Sequence, residues 1–356
     1  MRVDVVVPVL EPGAVGAHSL ALSDLLRRHG VESDVWAREV AGELAGRGAV
    51  LSSRPPGRAD DVLVYQMAMG DDMADAVATL PGRLVVNHHN LTPPRFFDGW
   101  EPALSAGLAR GEAQLASMAS RAELALAVSA FNAEGCRRAG YRQVEVAPFL
   151  ADLDGLSTVD QEHLDRLRRT KAGTDWLFVG RLCPNKAQHD LVVAFAAFRR
   201  AIDPGGRLFL VGGATPPSYG AALRSLVSDL GLEGVVTMTG PVSPAVLAAH
   251  YRAADVFVSL SEHEGFCVPI LEAWESGLPV VALAAAAVPE TVGGAGLLLP
   301  AKRSPAFTAA AVARVVGDAS LRGRLVEAGR RRLDARFAAP VAQARTWDVM
   351  QKVLER

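Results

Sequence analysis

The stretch Ser261–Ala282, SEHEGFCVPILEAWESGLPVVA, decides how the rest of the chain is read. An apolar run, ADVFVSL, leads into Ser261 as a strand, the loop EGFCVP turns the chain, and a helix is expected from about Val268 to Glu275. Pro269 suits the first helical turn, where a missing N–H costs nothing. The backbone N–H groups of Gly265, Phe266, Cys267 and Val268 then have no partner inside the helix, and the helix dipole adds partial positive charge at the same place. Such an end seats an anion or hydroxyl groups. Glu264 at the lip accepts hydrogen bonds from hydroxyls, and Glu272, two turns along the helix, reaches another part of the same ligand. A polyol beside each carboxylate with phosphates between them is the chemistry of a nucleotide sugar.

Outward from this stretch, apolar strand-like runs alternate with amphipathic helical ones almost from end to end, which argues for parallel sheets covered on both faces. VDVVVPVL, ESDVWAR, DVLVYQM, RLVVNHH, LALAVSA and VEVAPFL read as one series of strands, and DWLFVGR, RLFLVGG, VVTMTG and DVFVSLS as a second. Helices are expected over Ser19–His29, within Ala103–Ala119, at Asn132–Ala139, Ala187–Arg200, Tyr219–Leu230 and Ala245–Arg252. Between the series, ADLDGLSTVDQEHLDRLRRTKAGT is polar and carries no strand pattern, so it reads as a linker with a short helix. The basic, Ala-rich tail from Ser320 is helical in pattern with a break near Pro340. The expected fold class is α/β with two Rossmann-like domains, at 1–155 and 156–335, followed by a terminal helix over 336–356.

The 356 residues agree with two domains, each large enough for its own core. Lys and Arg number 37 against 39 Asp and Glu, so no nucleic-acid partner is indicated, and membrane contact is at most weak, through a local basic patch. The three cysteines, Cys136, Cys183 and Cys267, lie far apart without metal-like spacing and suit a reducing cytoplasm. The N-terminal run MRVDVVVPVL is too short to span a membrane, lacks a cleavage pattern and reads as a buried strand. The wealth of Ala and Arg fits a GC-rich bacterial coding sequence.

Three further stretches carry chemistry. In EPGAVGAHSLALSDLLRRHG, Gly13 and Gly16 sit on a loop between the first strand and a helix, where glycine allows close backbone approach to a ligand or simply makes the turn. Neither a third glycine nor a downstream acid completes a dinucleotide-binding pattern. In VVNHHNLTPPRFFDGW, a strand runs out into His88, His89 and Asn90 at the carboxyl edge of a sheet, the usual ligand position in such folds. Adjacent strand side chains point opposite ways, so one histidine faces that edge. The pair also reads as a cap on the strand. No third ligand at suitable spacing makes it a zinc site. In FVGRLCPNKAQHDLVVAF, Arg181 leaves a strand and Lys186 stands just before a helix, so two cations can converge on one anionic ligand.

The pattern E-G-F-x-x-P-x-x-E-A, with Glu264 and Glu272 eight apart, resembles the signature of family 4 retaining glycosyltransferases. The other stretches fall in the order of that family. The resemblance covers nearly the whole chain, most closely from Trp176 to Leu299. It implies the GT-B fold, in which two Rossmann-like domains face each other across a cleft and the terminal helix crosses back to the first domain. It implies transfer of a hexose-type sugar from a UDP- or GDP-linked donor to an acceptor hydroxyl with retention, by same-face displacement, and with no metal or organic cofactor. Arg181 and Lys186 resemble the diphosphate-binding pair, and fixed cations there would stabilise the charge growing on a departing phosphate. Glu264 is implied to orient sugar hydroxyls and Glu272 the ribose. His18 with Gly13 and Gly30 matches a G-G-x-x-x-H loop, except that Ala14 replaces the second glycine. His89, followed by Asn90, is favoured as the ligand-facing group that helps place the acceptor. Ser129 matches a recurrent serine, and it serves equally as a helix N-cap ahead of Asn132. Gly240, Val242 and Leu247 match a region packed against the base, and Glu290 a recurrent P-E pair, both of which also read as structural. Phe149 and Leu150 stand where an Asn-Gly pair is usual. Asp152-Leu153-Asp154 has the form of a metal-binding Asp-x-Asp but lies in the linker, and is taken as a chance match. The acceptor, whether small molecule, glycan or lipid-linked, corresponds to no pattern. An enzyme that hydrolyses or epimerises the nucleotide sugar, or a non-catalytic binder, shares these features.

Overall fold

The computed structural model describes residues 1–151, 153–300 and 304–355. The chain divides into two units, one built from Met1–Asp98, Pro102–Asp152 and Arg336–Arg356, the other from Gly99–Glu101 and Leu153–Ala335.

The first unit carries strands β1 (Val3–Leu10), β2 (Val35–Val40), β3 (Ala49–Val50), β4 (Val62–Met67), β5 (Arg83–His88), β6 (Ala122–Ala127) and β7 (Val144–Val146), with helices α1 (Ala14–Arg28), α2 (Asp72–Val77), α3 (Pro102–Met118) and α4 (Ala130–Arg138). The strands form one sheet in the order β3-β2-β1-β4-β5-β6-β7, and neighbouring strands are parallel. In β1, Val3, Val5 and Val7 pack into one core while Val6 packs into another on the opposite face. That is the period of two of a strand buried on both sides, and it explains the unbroken apolar runs.

The second unit carries helix α5 (Gln161–Arg169), strand β8 (Asp175–Val179), α6 (Gln188–Ala201), β9 (Arg207–Val211), α7 (Pro217–Asp229), β10 (Val236–Gly240), α8 (Pro244–Ala253), β11 (Val256–Ser259), α9 (Val268–Glu275), β12 (Val280–Leu283), α10 (Val288–Val292), β13 (Leu297–Leu299), α11 (Pro305–Gly317) and α12 (Ala319–Arg336). Its sheet runs β10-β9-β8-β11-β12-β13. Trp176, Phe178, Phe195, Phe198 and Tyr219 are fully or nearly fully buried in its core. The last helix, α13 (Ala339–Leu354), belongs to the first unit. Its Ala342, Val349, Met350 and Val353 join the core that holds Val3 and Leu22, and Trp347 stacks on His29 at 3.8 Å. The break in the tail falls between α12 and α13, with Pro340 in the first turn of α13.

Local readings change in places. Helix α1 starts at Ala14, five residues before the expected Ser19, because Gly13 takes φ +151 as its N-cap and Gly16 lets the strand end fold over the first turn. A Cβ on Gly16 would meet the Glu11 carbonyl oxygen at 2.1 Å, so this glycine is required by the loop's own backbone. The short elements α2 and β3 were not expected; six and two residues are too few for a periodic pattern to show. Asp152 and the side chain of Asp154 lie outside the described residues, and with them the Asp-x-Asp stretch. Among the described residues no helix is long and apolar enough to cross a membrane.

Candidate active site

In both sheets the strand order reverses beside the first strand of the series, at β1/β4 in the first unit and β8/β11 in the second. Ligands of open α/β sheets bind outside the carboxyl ends of strands at such a point.

In the second unit, β8 and β11 pair with Trp176 opposite Val256 and Leu177 opposite Phe257. Their carboxyl ends therefore emerge side by side, one leading to Gly180-Arg181 and the other to Ser261–Glu264. The two loops are tied together: Asn185 Nδ2 donates to the His263 carbonyl at 3.2 Å, and the Glu262 N–H donates to the Asn185 carbonyl at 2.8 Å. This brings Lys186 Nζ to 2.5 Å from Glu264 Oε2, with the side chains 22% and 8% exposed. Burial works against the Lys186 ammonium, but Glu264, with smaller help from Cys267 and Cys183, outweighs it and raises the pKa, so Lys186 is cationic. Arg181 is exposed, and its guanidinium has no ion-pair or hydrogen-bond partner among the described residues. Its carbonyl accepts from Gln188 Nε2 at 3.0 Å, and Gln188 Oε1 accepts from the buried Tyr219 hydroxyl at 3.1 Å.

The backbone around this ion pair is strained. Among the described residues, four non-glycine residues have positive φ: Ala187 (50), Cys267 (74), Ala286 (49) and, in the first unit, Asn90 (107). Ala187 follows Lys186 directly, Cys267 is the N-cap of α9, and the N–H next to Ala286, that of Ala287, donates to the Glu264 carbonyl at 3.2 Å. Each such residue costs about 1–3 kcal/mol and persists only where its surroundings over-determine it. The N–H groups of Gly265, Cys267 and Val268 have no hydrogen-bond partner among the described residues, while the Phe266 carbonyl is taken by the Thr291 hydroxyl at 2.6 Å. The helix N-terminus thus keeps open donors beside Lys186 and Glu264.

Glu272, half-buried on α9, is not fully open. Its Oε2 accepts from the Tyr251 hydroxyl at 2.6 Å, and burial raises its pKa despite that hydrogen bond. Gly240 ends β10 at φ +70, and its carbonyl accepts from Gly212 N–H at 3.1 Å. A Cβ on Gly212 would meet the Gly180 carbonyl at 2.1 Å, so the ends of β8, β9 and β10 approach closely through glycine. Val242 and Leu247, the latter on α8, are half-buried. Glu290 stands in the first turn of α10, with its carbonyl held by Arg332 at 2.6 Å.

In the first unit, His88 and His89 are both buried. His88 lies toward α4, its Nε2 3.9 Å from where a Cβ on Gly135 would stand. His89 lies toward α1, its ring 4.9 Å edge-on from His18, with Phe149 4.9 Å from His18 and 5.8 Å from His89. His18 Nδ1 accepts from the Leu150 N–H at 3.0 Å, and its Nε2 is 3.0 Å from the Asn87 carboxamide. That carboxamide is 3.0 Å from the carboxamide of Gln66, which is 2.5 Å from His89 Nε2. Burial lowers the pKa of His18 to about 4 and holds His89 well below the ordinary value, with His18 and His88 adding to the effect on His89. Asn90 follows at positive φ, half-buried. Ser129 is the N-cap of α4, its hydroxyl accepting from the Asn132 N–H at 3.2 Å. Among the described residues no group of three or more His, Cys, Asp or Glu could hold a metal ion.

The structure therefore joins Lys186 to Glu264 and His18 to His89, and leaves Arg181 free. Sequence reading did not single out Asn185, Gln188, Tyr251, Gln66 or Asn87, which hold these groups; their partners lie on other segments, so no local pattern marks them.

Residues 173–318 match the family model described as glycosyl transferases group 1. A D-inositol 3-phosphate glycosyltransferase of Geodermatophilus obscurus is 36% identical over 206 residues, covering 55% of this chain and 44% of that protein. A GDP-mannose-dependent alpha-(1-6)-phosphatidylinositol monomannoside mannosyltransferase of Mycobacterium tuberculosis is 34% identical over 182 residues, 49% of this chain and 46% of that protein. The matches thus span less than half the length of these relatives. The fold is similar to that of Anabaena HepE, crystallised with UDP and glucose, with a TM-score of 0.78 and 18% identity over 99% of this chain and 100% of that one. The chain thus joins two parallel-sheet α/β units of the GT-B kind, and its residues 173–318 are similar to the glycosyl transferases group 1 model.

Proposed function

We propose that the chain transfers a hexose-type sugar from a UDP- or GDP-linked donor to an acceptor hydroxyl, with retention at the anomeric carbon and without a metal ion. The observation that carries this reading is the Lys186–Glu264 pair at the open N-terminus of α9, with the unpaired Arg181 on the neighbouring strand end. The diphosphate takes the α9 N–H groups and the two cations. Glu264 accepts hydrogen bonds from hydroxyls of the transferred sugar, and Glu272, oriented by Tyr251, from the ribose. The loop from Gly240 through Val242 to Leu247 supports the base. Gly13, Gly16, His18, His89, Asn90 and Ser129 belong to the first unit, which holds the acceptor.

In the reaction the bond from the anomeric carbon to the β-phosphate oxygen breaks, and a bond to the acceptor oxygen forms on the same face. The acceptor proton passes to the departing phosphate oxygen, so no side chain has to act as nucleophile. Lys186 and Arg181 stabilise the charge that grows on that phosphate, a contribution of the type worth about 10²–10³ in turnover for one fixed donor. The names of the relatives favour an inositol-containing or lipid-linked acceptor, whose hydroxyls supply the required nucleophile.

The test is to incubate the chain with UDP- and GDP-linked sugars, with and without inositol phosphate or phosphatidylinositol acceptors, and to follow nucleoside diphosphate release and product mass. Transfer that falls about 10²–10³-fold in Arg181→Ala and in Lys186→Ala, with both variants folded, is expected. Near-normal turnover in the folded double variant refutes the assignment, and diphosphate release without an acceptor product points to hydrolysis instead.

A further inference from the structure

The buried polar chain of the first unit has a direction, and one backbone group sets it. The N–H of Leu150 can only donate, and it points at His18 Nδ1 at 3.0 Å. That nitrogen must therefore carry a lone pair, and a neutral His18 then carries its proton on Nε2. Burial, which draws the His18 pKa down to about 4, keeps the ring neutral near pH 7. The Nε2–H faces the Asn87 carboxamide at 3.0 Å. If the amide nitrogen of Asn87 stood there, two donors would face each other in a buried site. The two ends of a carboxamide are interchangeable in shape, so the hydrogen-bond requirement decides which faces His18, and that is Oδ1.

The same atom of Asn87 lies 3.0 Å from the Gln66 carboxamide, so Gln66 must present its nitrogen to it. That nitrogen is also the Gln66 atom at 2.5 Å from His89 Nε2, and its second hydrogen points there. His89 Nε2 is then an acceptor, and the proton of the neutral ring sits on Nδ1. Every link of the chain is satisfied in this direction: Leu150 N–H to His18, His18 to Asn87, and Gln66 to both Asn87 and His89. The opposite end of the Gln66 amide is buried without a partner among the described residues, and in this direction it is a carbonyl oxygen. A buried carbonyl is tolerated better without a partner than a buried N–H.

We infer that the Leu150 N–H, through His18, Asn87 and Gln66, fixes His89 as the Nδ1–H tautomer, so that His89 offers a hydrogen-bond donor and no acceptor to a bound ligand. Its Nδ1 is buried and has no partner among the described residues, so the Nδ1–H is the donor of this ring left to be satisfied. The ligand atom it suits is an acceptor oxygen, of a phosphoryl group or of a hydroxyl. Asn87 and Gln66 are positioning residues that act through His89, and Phe149 packs against both imidazoles. The tautomer follows from the hydrogen bonds alone; that it serves sugar transfer rests on the function proposed above.

The test reads the proton directly. Nitrogen-15 NMR of the whole chain labelled at histidine, assigned through ring-to-backbone correlations, distinguishes protonated from bare ring nitrogens at pH 7. His18 protonated at Nε2 alone and His89 at Nδ1 alone is the expected result, and His89 protonated at Nε2 overturns the inference. In Gln66→Glu, whose carboxylate can only accept, the His89 proton is expected to appear on Nε2; a variant that is folded by circular dichroism and leaves His89 as the Nδ1–H tautomer also overturns it. Added UDP, inositol phosphate or inorganic phosphate is expected to shift the Nδ1–H proton resonance in at least one case, and no shift with any of them refutes the ligand role. Because the tautomer is read without turnover, failure of the proposed transfer and failure of this chain are separate results.

Discussion

Replacing Lys186 by methionine separates what the ion pair does for stability from what it does for chemistry. Two unit charges 2.5 Å apart attract by roughly 7 kcal/mol at an effective dielectric of about 20, and burial of both charges offsets most of that. What a single substitution exposes is the cost of the charge left behind. Glu264 is 8% exposed, so Lys186→Met strands a carboxylate that water hardly reaches. Breaking a fully buried pair costs about 3–5 kcal/mol, and the 22% exposure of Lys186 reduces this to about 2–3 kcal/mol. For a unit of this size the loss lowers Tm by about 4–12 °C. Glu264→Gln costs less, because the flexible lysine can swing its ammonium toward water. In Lys186→Met with Glu264→Gln no charge is stranded, so most of the stability returns while turnover stays depressed. Thermal denaturation followed by circular dichroism, beside steady-state rates, checks both halves. The reasoning is refuted if Lys186→Met leaves Tm unchanged, or if the double variant is as unstable as the single one.

Transfer is expected to persist in excess EDTA, since cations and helix N–H groups take the place of a metal; complete loss restored by Mg²⁺ or Mn²⁺ would return attention to Asp152 and Asp154. Glu272→Gln is expected to weaken nucleoside diphosphate binding by about 1–2 kcal/mol in calorimetry while Glu264→Gln leaves it nearly unchanged, and Tyr251→Phe, which frees Glu272 Oε2, weakens it by about 1 kcal/mol. Equal losses in the two glutamate variants would mean that both carboxylates face the same part of the donor. His18 is neutral in the folded chain, its pKa falling from the ordinary 6.5 to about 4. Protonation therefore favours the unfolded state. The contribution of the buried neutral ring is intact above pH 6.5 and is lost as pH falls toward 4, amounting to about 3 kcal/mol across that window. His89 and His250 shift in the same direction, so the measurement is the difference in urea stability between the natural chain and His18→Gln at pH 7 and pH 4.5. A difference that does not change with pH would contradict the burial of His18.

The strands were legible because their signal is local. VDVVVPVL and DWLFVGR are apolar on both faces, and only a strand covered on both sides needs that, so parallel sheets with flanking helices followed from the pattern itself. The loop EGFCVP was legible for the same reason: Pro269, the missing helical partners and the two glutamates on either side of the helix start all lie within twelve residues. The break near Pro340 needed nothing beyond the proline. Helix α1 was misjudged at its start because the requirement on Gly16 is a carbonyl folded back from Glu11, a contact of tertiary kind although it lies close in sequence.

What decides the chemistry is placement across distant segments. Lys186 and Glu264 meet because β8 and β11 are neighbours in one register, and no spacing in the sequence states which strands are adjacent. Tyr251 is one apolar residue of an amphipathic helix until the fold lays its hydroxyl on Glu272. Gln66 and Asn87 sit in strands of otherwise buried residues, and their side chains acquire meaning only when β4 and β5 pair and α1 brings His18 over them. The amino-acid sequence by itself determined which residue types stand at the ends of strands and helices, because hydrophobic period and helix-end hydrogen bonding act over a few residues. The tertiary structure alone decided which of those groups share a hydrogen bond, because strand adjacency and register are properties of the whole sheet.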